Sequence, residues 1–143
     1  VSAARLYTPE LLGLAVELAR HPALTQAAVR GEARSATCGS TLAMDLELDE
    51  AGRIQQLGLR VQACAVGQAA AAIFARHAAG RNAGDIGATL RGLEAWLAGE
   101  GELPDWPDLA LIDAARDYPG RHGAILLPWR AALAALSSEA PAS

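Results

Sequence analysis

Few side chains in this sequence can do chemistry, and its two cysteines are the first of them. Cys38 stands in Cys38-Gly39-Ser40, at the entry to an alternating apolar stretch. Cys64 stands in Ala63-Cys64-Ala65-Val66-Gly67-Gln68-Ala69, where alternation gives way to a helical run of small residues. Thiolates are soft ligands for iron and zinc, and they are the attacking species in sulfur exchange. If a hairpin turns near residues 50–52, Cys38 lies twelve residues before the turn and Cys64 twelve after it. Both then reach the same end of the sheet and converge on one site. Each thiol also has a plainer reading: Cys64 as a small buried hydrophobe beside an Ala-rich helix, Cys38 as a turn residue before Gly39. A helix start at Cys64 favours the thiolate, the form that binds metal or attacks sulfur.

The commoner catalytic patterns are missing. There is no Gly-rich phosphate loop, no Gly-x-Ser-x-Gly elbow, no Cys-x-x-Cys pair and no His-Glu-x-x-His. No local spacing sets a His and an acid beside Cys64 for a hydrolase. His21 and His77 read as surface or helix-end residues, and Trp96, Trp106 and Trp129 as packing residues.

The elements that must position the thiols follow from periodicity and punctuation. Thr8-Pro9-Glu10 is a capped helix start, and Leu11, Leu12, Leu14, Ala15 and Leu18 continue it to about His21-Pro22. Residues 28–34 read as a weak strand. Leu42, Met44, Leu46 and Leu48 alternate with Ala43, Asp45 and Glu47 on an outer face, Asp49 to Gly52 turns the chain, and Ile54 to about Val61 returns it. A helix follows Cys64, stopping at Gly80, and a second is capped by Asn82 to Asp85. Residues 99–108 form a loop with two prolines, Leu109 to Ala115 a short helix, YPGRHG a turn, and Leu126 to Leu136 the last helix. Pro128 suits a first helical position, which places the start of that helix near Leu127.

The order helix, strands, helices predicts an α+β fold, a small antiparallel sheet of about three strands with helices on one face. A length of 143 residues suits one domain spanning 1–143 with a flexible tail from about Ser137, large enough to need neither disulfide nor metal to fold. The formal charge of −4, with every basic residue an arginine, offers no basic field for nucleic acid. No apolar run approaches the roughly 20 residues of a membrane span, and the first 22 residues lack a secretory layout. A cytoplasmic setting with reduced thiols is the expectation.

The motifs around the cysteines resemble the IscU/NifU/SufU-type iron–sulfur cluster assembly scaffold proteins. Cys38-Gly39-Ser40-Thr41 is similar to that family's Cys-Gly-Asp, Asp49-Glu50-Ala51-Gly52-Arg53-Ile54 to its Asp-Asp-x-Gly-x-Ile, and Ala63-Cys64-Ala65-Val66-Gly67-Gln68-Ala69 to its Gly-Cys-Ala-Ile-Ser-x-Ala-Ser. The spacing of the two cysteines agrees as well. Residues 119–129, PGRHGAILLPW, lie without gaps on the family's Pro-Ala-Arg-x-Lys-Cys-Ala-Thr-Leu-Ala-Trp. There the third family cysteine falls on Ala124 and the preceding Lys or His on Gly123, while the Asp of Cys-Gly-Asp falls on Ser40. His122 stands one residue before the Lys/His position, where a shifted backbone would let it serve as a ligand.

The resemblance implies an IscU/SufE-like fold and a scaffold or carrier role rather than catalysis. Cys38 and Cys64 would hold an iron–sulfur cluster such as [2Fe–2S], or zinc, with Ser40 and His122 as further candidate metal ligands. It implies a cysteine desulfurase as sulfur source and iron–sulfur acceptor proteins as recipients. A cluster or a closed zinc site takes four ligands, so Cys38, Cys64 and His122 together leave at least one position open. Two alternatives follow: a SufE-like sulfur acceptor carrying persulfide on Cys64, or a degenerate interaction module that binds no metal.

Overall fold

The computed structural model describes residues 6–36 and 39–138. Thr8 caps α1 (Pro9–Glu17), its hydroxyl accepting the Leu11 amide at 3.1 Å, and Pro9 occupies the first turn, where no amide is needed. Leu11 and Leu14 are buried, and a 3-10 turn over Leu18–Arg20 ends the helix. The sheet is antiparallel in the order β1 (Val29–Arg34), β2 (Thr41–Leu48), β3 (Ile54–Gln62). Leu42, Met44 and Leu46 are buried on its inner face. Asp49 builds the β2–β3 turn by accepting the Ala51 and Arg53 amides at 2.9 Å each, and Gly52 supplies the positive φ of +78°.

After β3 come α2 (Ala65–Arg76), α3 (Ala83–Leu97), two 3-10 segments (Leu109–Asp117 and Pro119–Arg121) and α4 (His122–Ser138). Asn82 and Asp85 form a reciprocal capping box at the start of α3. The helices cover the inner face of the sheet, as the α+β reading expects. Alpha-4 lies against β1 so closely that a Cβ on Gly31 would overlap the Ala131 carbonyl and the Ala135 amide. At the centre Phe74 stacks on Trp106 at 5.2 Å, and both meet Trp129 edge-on at 5.4 and 5.3 Å. None of the described helices is long and apolar enough to cross a membrane.

Two expectations change. The last helix begins at His122, not near Leu127, and Pro128 lies inside it. An interior proline costs about 3 kcal/mol. Burial of Ile125, Leu127 and Trp129, at about 1.5–3 kcal/mol for each large apolar side chain, outweighs that cost. Asp45, read as an outward polar position of β2, is 0% exposed. The segment after α1 crosses the outer face of the sheet above it. The Asp45 carboxylate accepts the Leu24 amide at 3.0 Å and pairs with Arg60 at 3.0 Å and Arg30 at 3.2 Å. A buried carboxylate held by two guanidinium groups and an amide is satisfied rather than stranded.

Candidate functional site

The pairing Thr41↔Gln62 sets the start of β2 beside the end of β3, so Ser40 and Cys64 flank the same end of the sheet. Ser35 and Ser40, both buried, close the chain between β1 and β2: the Ser35 amide donates to the Ser40 carbonyl at 2.8 Å and the Gly39 amide to the Ser35 carbonyl at 3.0 Å. Cys38 lies outside the described residues.

Cys64 is the N-cap of α2, with φ −65° and ψ 170°, and its carbonyl accepts the Gln68 amide at 2.9 Å. Its side chain makes no capping hydrogen bond. The half-buried thiol packs at the margin of the core and is not spent on holding the helix end. Unpaired helix amides concentrate partial positive charge at this end, the environment that anionic groups prefer. The Gln68 side chain donates back to the Ala63 carbonyl at 2.8 Å and stiffens the strand-to-helix corner.

The first turn of α4 completes this end of the molecule. A Cβ on Gly67 would sit 2.8 Å from Ala63 Cβ and 3.1 Å from Ala124 Cβ, so α2 and α4 meet with hardly more than a hydrogen's width between them. A Cβ on Gly123 would overlap Ser35 Oγ. Ala124 is 0% exposed. The half-buried His122 turns its ring elsewhere: Nε2 lies 2.7 Å from the Arg116 carbonyl, which can only accept, so Nε2 carries the proton and donates it. The structure thus brings Ser40, Cys64 and residues 122–124 to one end of the sheet, with the His122 Nε2 engaged by backbone. Among the described residues no three His, Cys, Asp or Glu side chains form a metal-ligating group.

The opposite end of α2 carries an ionic cluster that the sequence reading does not contain. Arg76 grips both Glu17 oxygens at 2.7 Å and reaches Asp108 at 3.1 Å, and His77 Nε2 meets Asp108 at 2.7 Å. The Arg76 guanidinium holds the Glu17 carboxyl below the usual carboxylate range, and His77 first, then Arg76, does the same for Asp108. These carboxylates in turn raise Arg76 above its ordinary value. Glu17 and Arg76 stand 59 residues apart, so no local spacing signals the pair.

Comparison with solved structures gives close matches over nearly the whole chain. A nitrogen-fixing NifU-like protein (N-terminal) from Brucella abortus superposes with a TM-score of 0.88 and 25% identity, covering 98% of each chain. A proposed iron–sulfur cluster assembly scaffold protein for the SUF system from Fervidobacterium islandicum AW-1 has a TM-score of 0.80 and 19% identity, covering 94% of this chain and 99% of its own. A hypothetical protein shares the fold at a TM-score of 0.65 and 16% identity, covering 89% and 96%. No family model matches the sequence, and no curated protein matches it significantly. The first of these structures bears out both the α+β architecture and the resemblance to NifU-like scaffold proteins, and the second shares the fold.

Proposed function

We propose that this chain, whose fold matches a NifU-like protein at 25% identity, is an IscU/NifU/SufU-type iron–sulfur cluster assembly scaffold whose iron and sulfide cargo is held by Cys38 and Cys64. The observation that carries this reading is the placement of Cys64. It is a half-buried thiol, unused as a cap, at the strand-to-helix corner of a fold that matches a NifU-like protein over 98% of its length. The two thiolates supply soft donors for iron. Sulfur would come from a cysteine desulfurase, and the assembled cargo would leave to an acceptor protein in a reducing, cytoplasmic compartment.

The remaining donors are few. Ala124 offers no ligand atom beyond its backbone and Gly123 no side chain, and His122, whose Nε2 donates to the Arg116 carbonyl, has only Nδ1 to offer. A cluster needing four ligands must therefore complete its coordination with another molecule, such as a small thiol or the acceptor itself. Incomplete coordination favours release over storage, and the same count argues against a closed structural zinc site.

Anaerobic reconstitution with ferrous iron and sulfide, followed by absorption and Mössbauer spectra and analysis for zinc, tests the proposal. Chelator-labile iron and sulfide, lost in both Cys38→Ala and Cys64→Ala, is the expected result. A colourless, metal-free protein would remove the scaffold reading. Ala124→Cys should lengthen the lifetime of the bound cluster by about tenfold or more, the scale on which ligand-shell changes act.

The absence of a donor side chain at Ala124 favours a second reading, in which Cys64 acts on its own. In that case the Cys64 thiolate attacks the outer sulfur of a desulfurase persulfide. A new sulfur–sulfur bond forms on Cys64 as the old one breaks, and the desulfurase cysteine leaves as thiolate, so no external electrons are needed. Cys64→Ala would then abolish stimulation of the desulfurase while Cys38→Ala would not. Slow alkylation of both native thiols, together with partners kept by the double alanine variant, would point instead to an interaction module.

A further inference from the structure

Strand β3 is an edge of the sheet, and among the described residues its outer side is covered at two places. At one end Ile54 exchanges hydrogen bonds with Arg81 and Gly80, donating to the Arg81 carbonyl at 2.9 Å and accepting the Gly80 amide at 2.8 Å. At the other, Leu59 donates to the His21 carbonyl at 2.9 Å. Strand residues repeat with period two, so Leu57 directs its N–H and C=O the same outward way as Leu59. Its partner across the ladder agrees: Leu46, paired with Leu57, turns its carbonyl toward β1 to accept the Ala28 amide at 3.0 Å.

The uncovered backbone at Leu57 opens into a cleft of about 360 Å³ between β3, the C-terminal end of α2 and the segment after α1. Its floor is apolar, with Leu24, Ile54, Ala75 and Ala79, and Arg20 and His21 stand at its rim. No Asp or Glu lines it. Arg20 makes no ion pair among the described residues.

We infer that this cleft docks the C-terminal end of a partner polypeptide, one whose last side chain is apolar. The peptide main chain pairs with the N–H and C=O of Leu57 as a short added strand, the last side chain rests on the floor, and the terminal carboxylate meets Arg20. Three features select this occupant. An edge strand with its main-chain groups exposed recognises extended peptide, the two covered ends limit the added strand to a few residues, and Arg20, which feels the Glu17 carboxylate at a distance but makes no direct ion pair with it, has its guanidinium hydrogen-bonding groups available to a carboxylate. The cleft stands apart from Cys64, so its role does not depend on the scaffold reading.

Titration of the ¹⁵N-labelled chain with acetyl-Gly-Ala-Leu as free acid, followed by NMR, tests the inference. The expected result is shifts centred on Leu57, His21 and Arg20 with a Kd on the order of 1 mM, typical of so small a contact. The C-terminal amide of the same peptide should bind about tenfold more weakly, as should the free acid to Arg20→Glu. Leu57→Pro removes an outward-facing amide at an edge strand, a place where proline is tolerated, and should abolish the shifts, whereas Leu57→Ala, which trims the same half-buried side chain but keeps the amide, should retain them. Acid and amide binding equally, acetate reproducing the shifts, shifts that arise from protein concentration alone, or an unmoved Leu57 at about 10 mM peptide would each overturn it.

Discussion

The two ends of α2 are built on opposite principles. At the Cys64 end the neighbours are Ala63, Gly67, Gly123 and Ala124, small residues that let α2, α4 and the β1–β2 connection touch almost backbone to backbone. At the Arg76 end, four charged or titratable side chains tie α1, α2 and the stretch before the 3-10 segment together across half-exposed ground. Close packing of small residues leaves the Cys64 thiol unspent on capping the helix it precedes. An ionic clamp occupies every charge it contains. The first arrangement suits a site and the second suits a fastening, so a variant at one end should move function and a variant at the other should move stability.

The largest effect expected is a functional one. Cys64→Ala should reduce reconstituted iron by at least about tenfold while shifting the melting temperature by no more than about 3 °C, since the thiol is half-buried and bonds nothing as a cap. Iron analysis beside thermal denaturation would check both, and a collapse of stability would erase the contrast between the two ends. Gly67→Val attacks the packing itself. Its methyl groups must displace Ala63 Cβ or Ala124 Cβ, at a cost of about 1–3 kcal/mol, readable as a lower urea midpoint. An unchanged midpoint would show that the first turn of α4 can yield.

At the other end Arg76→Ala strands the Glu17 carboxylate and leaves Asp108 with His77 alone, and should cost about 1 kcal/mol, less than a fully buried pair because the side chains keep contact with water. Bound iron should not change. The pH dependence gives a second readout. Both carboxyls are held below their ordinary values of 4.5 for Glu17 and 3.8 for Asp108, so each stabilises the fold above those values, where it is ionised in both states. That contribution is lost as pH falls through the lower folded values. The native protein should therefore lose stability steeply below about pH 4.5, and Arg76→Ala should flatten that loss. Equal slopes in the two proteins would mean that the clamp contributes nothing.

What the sequence disclosed depends on the range of the interactions involved. The Thr8-Pro9 cap, the Asp49 turn and the Asn82–Asp85 box are local, and each stands where its residue types say it should. The Cys64 corner is equally local: an alternating pattern ends and a helical one begins within three residues. Asp45 misleads because its burial comes from Leu24, 21 residues away in a stretch with no periodicity. Pro128 misleads because its conformational preference is local, whereas the packing of Ile125, Leu127 and Trp129 that overrides it is not. The same limit hides Gly67 and Gly123, whose small size gains meaning only against Ala124 and Ser35. The alignment of Ala124 with the family's third cysteine shows which sulfur is absent, and the packing adds how little space surrounds it.

The smallest effect expected isolates a conformational cost inside the clamp. Asp108 holds φ at +70°, the left-handed region where a side chain is disfavoured and glycine is not. Asp108→Gly removes two contacts, to Arg76 and His77, and simultaneously removes that backbone penalty, so the two changes should nearly cancel, to within about 0.5 kcal/mol at neutral pH. Asp108→Ala loses the same contacts but keeps the penalty, and should be less stable than the glycine variant by about 1 kcal/mol. The difference between the two in urea denaturation therefore measures the backbone penalty alone. If alanine and glycine prove equally stable, the positive φ costs nothing, and the Asp108 contacts need offset no strain.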